Sequence, residues 1–171
     1  QQYYGDVRCA LGWACWKTYV GRLETDGARR LAMQQLGSGL GASGHHEDAL
    51  TVREALLALT RRIGASACEI LTVQGNLANT YQNLGRVEPA ARMRQEVYSR
   101  KLELYGEEHV ETLRAANNYA SLLIQLNRFE EAKVLLRKTI PVARRVLGDS
   151  NDTTLRMRWN YAGALYEDPN A

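Results

Sequence analysis

Asn76-Leu77-Ala78-Asn79-Thr80-Tyr81-Gln82-Asn83-Leu84-Gly85-Arg86-Val87-Glu88-Pro89-Ala90 returns 42 residues later, without a gap, as Asn118-Tyr119-Ala120-Ser121-Leu122-Leu123-Ile124-Gln125-Leu126-Asn127-Arg128-Phe129-Glu130-Glu131-Ala132. The register extends on both sides. Glu69 falls on Glu111, Leu71 on Leu113 and Gly106 on Gly148, while Met93 over Leu135 keeps apolar character. Such self-similarity at a fixed period is the signature of a stacked-repeat architecture. Towards the C-terminus the same shift carries Thr112-Leu113-Arg114 onto Thr154-Leu155-Arg156, and Asn118-Tyr119-Ala120 onto Asn160-Tyr161-Ala162. Upstream the shift becomes 41, with Leu36, Gly44, Glu47 and Ala49 on Leu77, Gly85, Glu88 and Ala90.

Each unit reads as two helices. Ser66 followed three residues later by Glu69 has the form of a capping box and marks a helix start. From there Leu71, Leu77, Ala78, Tyr81 and Leu84 share one face at helical spacing. Gly85 marks the stop, because a residue without Cβ accepts the left-handed conformation that ends helices. Asn127 holds the equivalent place, and Asn is the usual second choice there. A second helix follows over about Val87 to Tyr105, with Ala90 small enough for close packing. Pro141 lies inside the equivalent helix one unit on, where it removes a backbone donor and is expected to bend or loosen the helix. The expected organisation is an N-terminal cap or worn repeat over 1–24, containing Tyr3, Tyr4, Trp13, Trp16 and Tyr19. A degenerate repeat over 25–65 closes at Gly64-Ala65. Full repeats occupy 66–107 and 108–149, and a single first helix occupies 150–171, with the next hairpin turn due at Asp168-Pro169-Asn170-Ala171.

Composition bounds the function. The chain has 171 residues, 45% of them hydrophobic and 24% charged, which is a globular balance. A formal charge of +3 with no unbroken basic run does not favour a nucleic-acid arm. Cys9, Cys15 and Cys68 are odd in number and lack C-x-x-C spacing, so neither a disulfide framework nor a metal or redox site is indicated. Reduced thiols fit a cytoplasmic protein. No apolar run reaches the ~20 residues that cross a bilayer. The first residue, Gln1, is not Met, so the chain reads as a fragment.

The stretch Asn76-Leu77-Ala78-x-x-Tyr81-x-x-x-Gly85-Arg86-x-Glu88-x-Ala90 resembles the first helix, turn and second-helix entry of tetratricopeptide repeats. The long unit is similar to those of kinesin light chains and their relatives. Thr112-Leu113, Asn118-Tyr119-Ala120 and Leu147-Gly148 carry that likeness, which covers roughly residues 25 to 171. His109 is followed by Val110 where that family usually has proline, and no acidic coiled-coil segment is present. The resemblance implies an all-α fold, a right-handed superhelical stack of antiparallel helix-turn-helix hairpins. It also implies that first-helix faces line a concave groove.

On a helix, Thr72, Asn76, Asn79 and Asn83 point one way, opposite the apolar face. Their counterparts are Arg114, Asn118, Ser121 and Gln125, then Arg156, Asn160, Gly163 and Glu167. In the degenerate repeat Gln35 and Ser38 correspond. A solvated face is the plain alternative, yet Asn costs roughly half a kcal/mol against good helix formers. Its amide offers both donor and acceptor to an extended peptide backbone. Arg114, Arg156 and Arg158 add positive charge suited to acidic ligand side chains. The expected partner is therefore an extended, acidic peptide segment of another protein, bound on a ladder of Gln35, Asn76, Asn118 and Asn160. Trp159 falls at the groove edge, in register with Gly75 and Asn117, as either a stacking ring or a residue left exposed by truncation.

Other constellations carry less. His45-His46-Glu47-Asp48 sits at a hairpin turn, where adjacent histidines do not converge on one ion. Tyr81, Tyr119 and Phe129 read as core. Arg92, Arg94, Arg100, Lys101, Arg137, Lys138, Arg144 and Arg145 lie on second helices and are expected on the solvated outer surface. No nucleophile motif, phosphate loop or metal-ligand spacing suggests catalysis, and no cofactor is called for. The alternatives to a peptide scaffold are a helical-repeat RNA-binding module and the non-catalytic sensor region of a larger multidomain protein. The modest charge gives RNA little phosphate attraction.

Overall fold

The computed structural model describes residues 2–168, with side chains from Gly5 onward; the turn expected over 169–171 and the Tyr3 and Tyr4 side chains lie outside the described residues. Among the described residues the chain is all α-helix: α1 (Gln2–Tyr19), α2 (Gly27–Ala42), α3 (His46–Arg62), α4 (Ala67–Asn83), α5 (Val87–Tyr105), α6 (Val110–Gln125), α7 (Phe129–Leu147) and α8 (Asp152–Glu167). Two compact units divide it, one ending at Arg86 and the other beginning at Val87.

Local chemistry sets the helix limits. The backbone N–H of Glu69 donates to Ser66 Oγ at 3.2 Å, so Ser66 caps α4 as expected. Glu69 turns its own carboxylate to Arg30 of α2, at 2.8 Å. Gly85 has φ +71°, and Asn127 at φ +58° takes the same left-handed conformation. Both ends are Schellman motifs: Arg86 N–H donates to the Tyr81 carbonyl at 2.8 Å, and Arg128 N–H to that of Leu123 at 2.8 Å. His109 supplies the N-cap of α6. Its Nδ1 accepts from the Glu111 N–H at 3.2 Å, and its ring stacks on Tyr105 at 4.7 Å. α7 runs on through Pro141 to Leu147. Pro141 and Arg137, whose carbonyl loses its donor, are both exposed residues.

In the first unit, glycine governs how α1 meets α2. A Cβ built on Gly39 would fall 2.5 Å from the Arg8 carbonyl oxygen, and one on Gly5 would fall 2.4 Å from that of Ala42. On Gly12 it would lie 2.8 Å from Leu36 Cα. The two backbones thus approach where no methyl fits, and Trp16 and Cys9 close over Leu36, Leu40 and Ala49. On α2's other side Gly37 and Gly41 make a floor for the Arg53 side chain of α3. Arg53 reaches α4, donating to the Asn76 carbonyl at 3.1 Å and to Thr80 Oγ1. Its burial lowers its pKa from the usual arginine range.

The second unit has a more conventional core. Leu113, Ala116 and Ala120 of α6 pack with Leu136 and Ala143 of α7 and Met157 of α8. Tyr119, Leu123, Ala132 and Ala164 form an adjoining cluster that includes Tyr98 and Phe129. Alanines at these registers let the helices approach closely, and each is fully buried. Two basic residues depart from the expected solvated outer surface. Arg94 is buried, and desolvation lowers its pKa. Lys101 is half-buried and donates to Glu111 at 2.8 Å. Arg92, Arg100, Arg137, Lys138, Arg144 and Arg145 are exposed as expected.

Candidate peptide-binding surface

On α4, Thr72, Asn79 and Asn83 are exposed and Asn76 is half-buried, while Leu71, Val73, Gln74, Leu77, Ala78 and Thr80 are buried. The amphipathic division expected from the sequence therefore holds on this helix. Thr72 spends its hydroxyl on its own helix, donating to the Cys68 carbonyl at 2.8 Å. Asn76 has its backbone carbonyl held by Arg53. Gln35 is exposed on α2 but borders a cavity of about 260 Å³ shared with Arg8, Leu11, Gly12 and Cys15 of α1. Ser38 is half-buried.

In the second unit α6 and α8 lie side by side. The Asn160 side-chain amide donates to Asn117 Oδ1 at 3.0 Å, which ties α8 to α6. Asn117, expected at the groove edge in register with Gly75 and Trp159, is instead only 8% exposed. The signal was the Asn117-Asn118 pair, which sets two amides at one level of α6. One turns in to lock the neighbouring helix, and the other, Asn118, is exposed. Ser121 is half-buried and Gln125 exposed, continuing the same face.

The charge on this face is partly engaged. Arg114 pairs with Glu111 at 2.9 Å, and Arg156 with Asp152 at 3.0 Å. Hydrogen bonding from Lys101, with Arg114 beside it, holds the Glu111 carboxyl below the usual glutamate range. The Arg114 and Arg156 side chains are 60% and 68% exposed, so each pair is worth at most about 1 kcal/mol and yields readily to a competing carboxylate. Arg158 is exposed as well, and Trp159 is 81% exposed.

A buried ion pair lies at the far end of α8. Lys133 Nζ meets Asp168 at 2.6 Å and Glu130 at 2.5 Å, with the Lys133 and Asp168 side chains only 7% and 4% exposed. Asp168, followed by Glu130, raises the Lys133 pKa above the lysine range. This pair anchors α8 to α7; it lies 35 residues apart in sequence, and no local pattern announces it. Tyr81 is half-buried, with its hydroxyl donating to Glu54 at 2.7 Å, and that bond raises its pKa. His46 begins α3, and Glu47 pairs with Arg86 at 2.8 Å. Among the described residues no group of three or more His, Cys, Asp or Glu is arranged to hold a metal ion, and no helix is long and apolar enough to cross a membrane.

Comparison with known proteins agrees with this geometry. Residues 69–145 match the family model of the tetratricopeptide repeat. A crystal structure from Podosopora anserina, of a candidate kinesin light chain with nearly identical TPR-like repeats, superposes with a TM-score of 0.77 at 20% identity, covering 96% of this chain and 77% of that one. A singly substituted form of that same protein gives 0.78 at the same identity and coverage. BtubC (BKLC) from P. vanneervenii gives 0.64 at 16% identity, covering all of this chain and 73% of that one. No curated protein sequence matches. The family model of the tetratricopeptide repeat thus covers residues 69–145, and the fold of the chain is similar to that of these kinesin-light-chain-like structures.

Proposed function

We propose that this chain is a non-catalytic scaffold that binds an extended, acidic peptide segment of a partner protein along its first-helix faces. Asn76, Asn79 and Asn83 serve in the first unit, and Asn118, Ser121, Gln125 and Asn160 in the second. The observation that supports this reading is the Asn160–Asn117 bond, which ties α8 to α6. Asn118 and Asn160 then lie on neighbouring helices, as an extended ligand requires. Asn118 presents its whole amide to solvent, and Asn160 keeps its carbonyl oxygen for an incoming N–H. Arg114, Arg156 and Arg158 then select for carboxylates, exchanging weak intrahelical pairs for ligand pairs.

The test is fluorescence anisotropy with a labelled library of Asp- and Glu-rich extended peptides. Asn118→Ala, which removes no internal bond, should weaken capture about tenfold, the loss of one to two ligand hydrogen bonds. The triple change Asn76→Ala, Asn118→Ala, Asn160→Ala should abolish capture while far-UV circular dichroism keeps its helical signal. Undiminished binding by the triple variant rules the assignment out.

A further inference from the structure

Side chains cap α2, α4, α6 and α8, each accepting a backbone N–H of the first turn. Asp26 Oδ1 takes the Ala28 N–H at 2.8 Å, Ser66 Oγ that of Glu69 at 3.2 Å, and Asn151 Oδ1 that of Thr153 at 2.9 Å. At α6 the acceptor is His109 Nδ1, which takes the Glu111 N–H at 3.2 Å. A ring nitrogen accepts only through its lone pair, so this cap exists only while Nδ1 carries no proton. Hydroxyl and amide caps do not titrate. Asp26 stays charged, because the Ala28 N–H, followed by Arg22, holds its carboxyl below the usual aspartate range. Of these caps, only that of α6 can be switched between about pH 8 and about pH 5, where imidazoles change charge.

We propose that His109 is a proton-operated latch on the turn joining α5 to α6: protonation of Nδ1 breaks the cap and frees the first turn of α6. That turn is a joint of the second unit. Glu111 accepts from Lys101 of α5 at 2.8 Å, and Thr112 Oγ1 donates to the Lys101 carbonyl at 3.2 Å. Fraying of the turn loosens both bonds. Once protonated, Nδ1 sets a donor against the Glu111 N–H, and the ring's charge lies at the positive end of the α6 dipole. The carboxylates around the turn are already engaged. Glu107 pairs with Lys138 at 3.7 Å, Glu108 with Arg145 at 2.6 Å, and Glu111 with Lys101 and Arg114. Tyr105 keeps its stacking contact with the ring, but stacking restores no acceptor to the Glu111 N–H. His109 is exposed, so protons reach it without unfolding the chain.

The test is amide hydrogen exchange of the whole 171-residue chain, followed by NMR and corrected for the intrinsic pH dependence of each amide. Between about pH 8 and about pH 5 the Glu111 N–H should lose about fivefold of its protection, the worth of one capping bond. The Glu69 and Thr153 N–H groups, capped by Ser66 and Asn151, should keep theirs. His109→Asn supplies the kind of cap that Asn151 gives α8, and should hold Glu111 protection constant across the range. His109→Ala should leave the Glu111 N–H unprotected at both ends of it. Circular dichroism should show both variants folded, since the side chain is exposed. Unchanged protection of Glu111 in the natural chain, the same loss in His109→Asn, or an equal loss at Glu69 and Thr153 overturns the proposal.

Discussion

Glu111 shows how one side chain can join structure to function. It accepts from Lys101 of α5 and Arg114 of α6, and so links the exposed arginine proposed to meet the ligand to the neighbouring helix. Its pKa is held below the unfolded value, so its contribution to stability is present above the ordinary glutamate range and is lost as pH falls through the folded value. Because the Glu111 side chain is 39% exposed, that contribution is no more than about 1 kcal/mol. Urea midpoints at about pH 6 and about pH 3.5, on either side of the free glutamate pKa, should therefore fall further in the natural chain than in Glu111→Gln. Equal losses in the two proteins would show that the bonds to Glu111 add nothing. Residue-scale chemistry of this kind is only half legible in the sequence. Ser66, Gly85 and Asn127 could be read because caps depend on a few adjacent residues. Arg94 and Lys101 could not, because burial on a second helix is decided by whichever helix packs over it. Nothing within four residues of Lys101 points to Glu111.

At the scale of elements, the α1–α2 pair inverts the usual expectation for glycine. Ala in place of Gly within a helix normally gains roughly 0.5–1 kcal/mol. At Gly39 a methyl would meet the Arg8 backbone, which cannot swing aside as a long side chain could. Gly39→Ala should therefore destabilise the first unit by about 1–3 kcal/mol, the range for overpacking. Gly163→Ala, with nothing within 4 Å of its new Cβ, should be neutral or stabilising. Denaturant midpoints of the two variants check the contrast, and a stabilised Gly39→Ala would mean the helices are farther apart than described. This joint also explains why residues 1–24 show no clean repeat. Their packing code is Gly5 against the Ala42 backbone, Gly12 against that of Leu36 and Arg8 against Gly39, spaced for backbone contact rather than an apolar stripe, and α1 leaves Leu11 64% and Trp13 45% exposed. Pattern reading sought leucines where the contact is made by absent side chains.

For the molecule as a whole, repetition made the fold legible. An ungapped 42-residue shift repeats helix, turn and helix, and each copy independently supports the same reading. The candidate face was legible only as the polar side of a helix, since helical geometry alone separates Thr72, Asn79 and Asn83 from Leu71, Leu77 and Ala78. It was not legible at the level of bonds. The Asn117–Asn160 lock, the pairing of Arg114 and Arg156 with their own helices, and the place of Gln35 beside α1 all depend on how neighbouring helices settle. The Asn117–Asn160 bond shows that one of the face amides, Asn160, also ties α8 to α6. Side-chain amide resonances of the uniformly labelled chain, followed through titration with an Asp- and Glu-rich peptide, test this most directly. The account predicts that Asn76, Asn118 and Asn160 shift in concert and saturably, while residues around Arg92, Arg137 and Arg144 on the second helices stay in place. Shifts confined to those second helices, with the three asparagines unmoved, would contradict it.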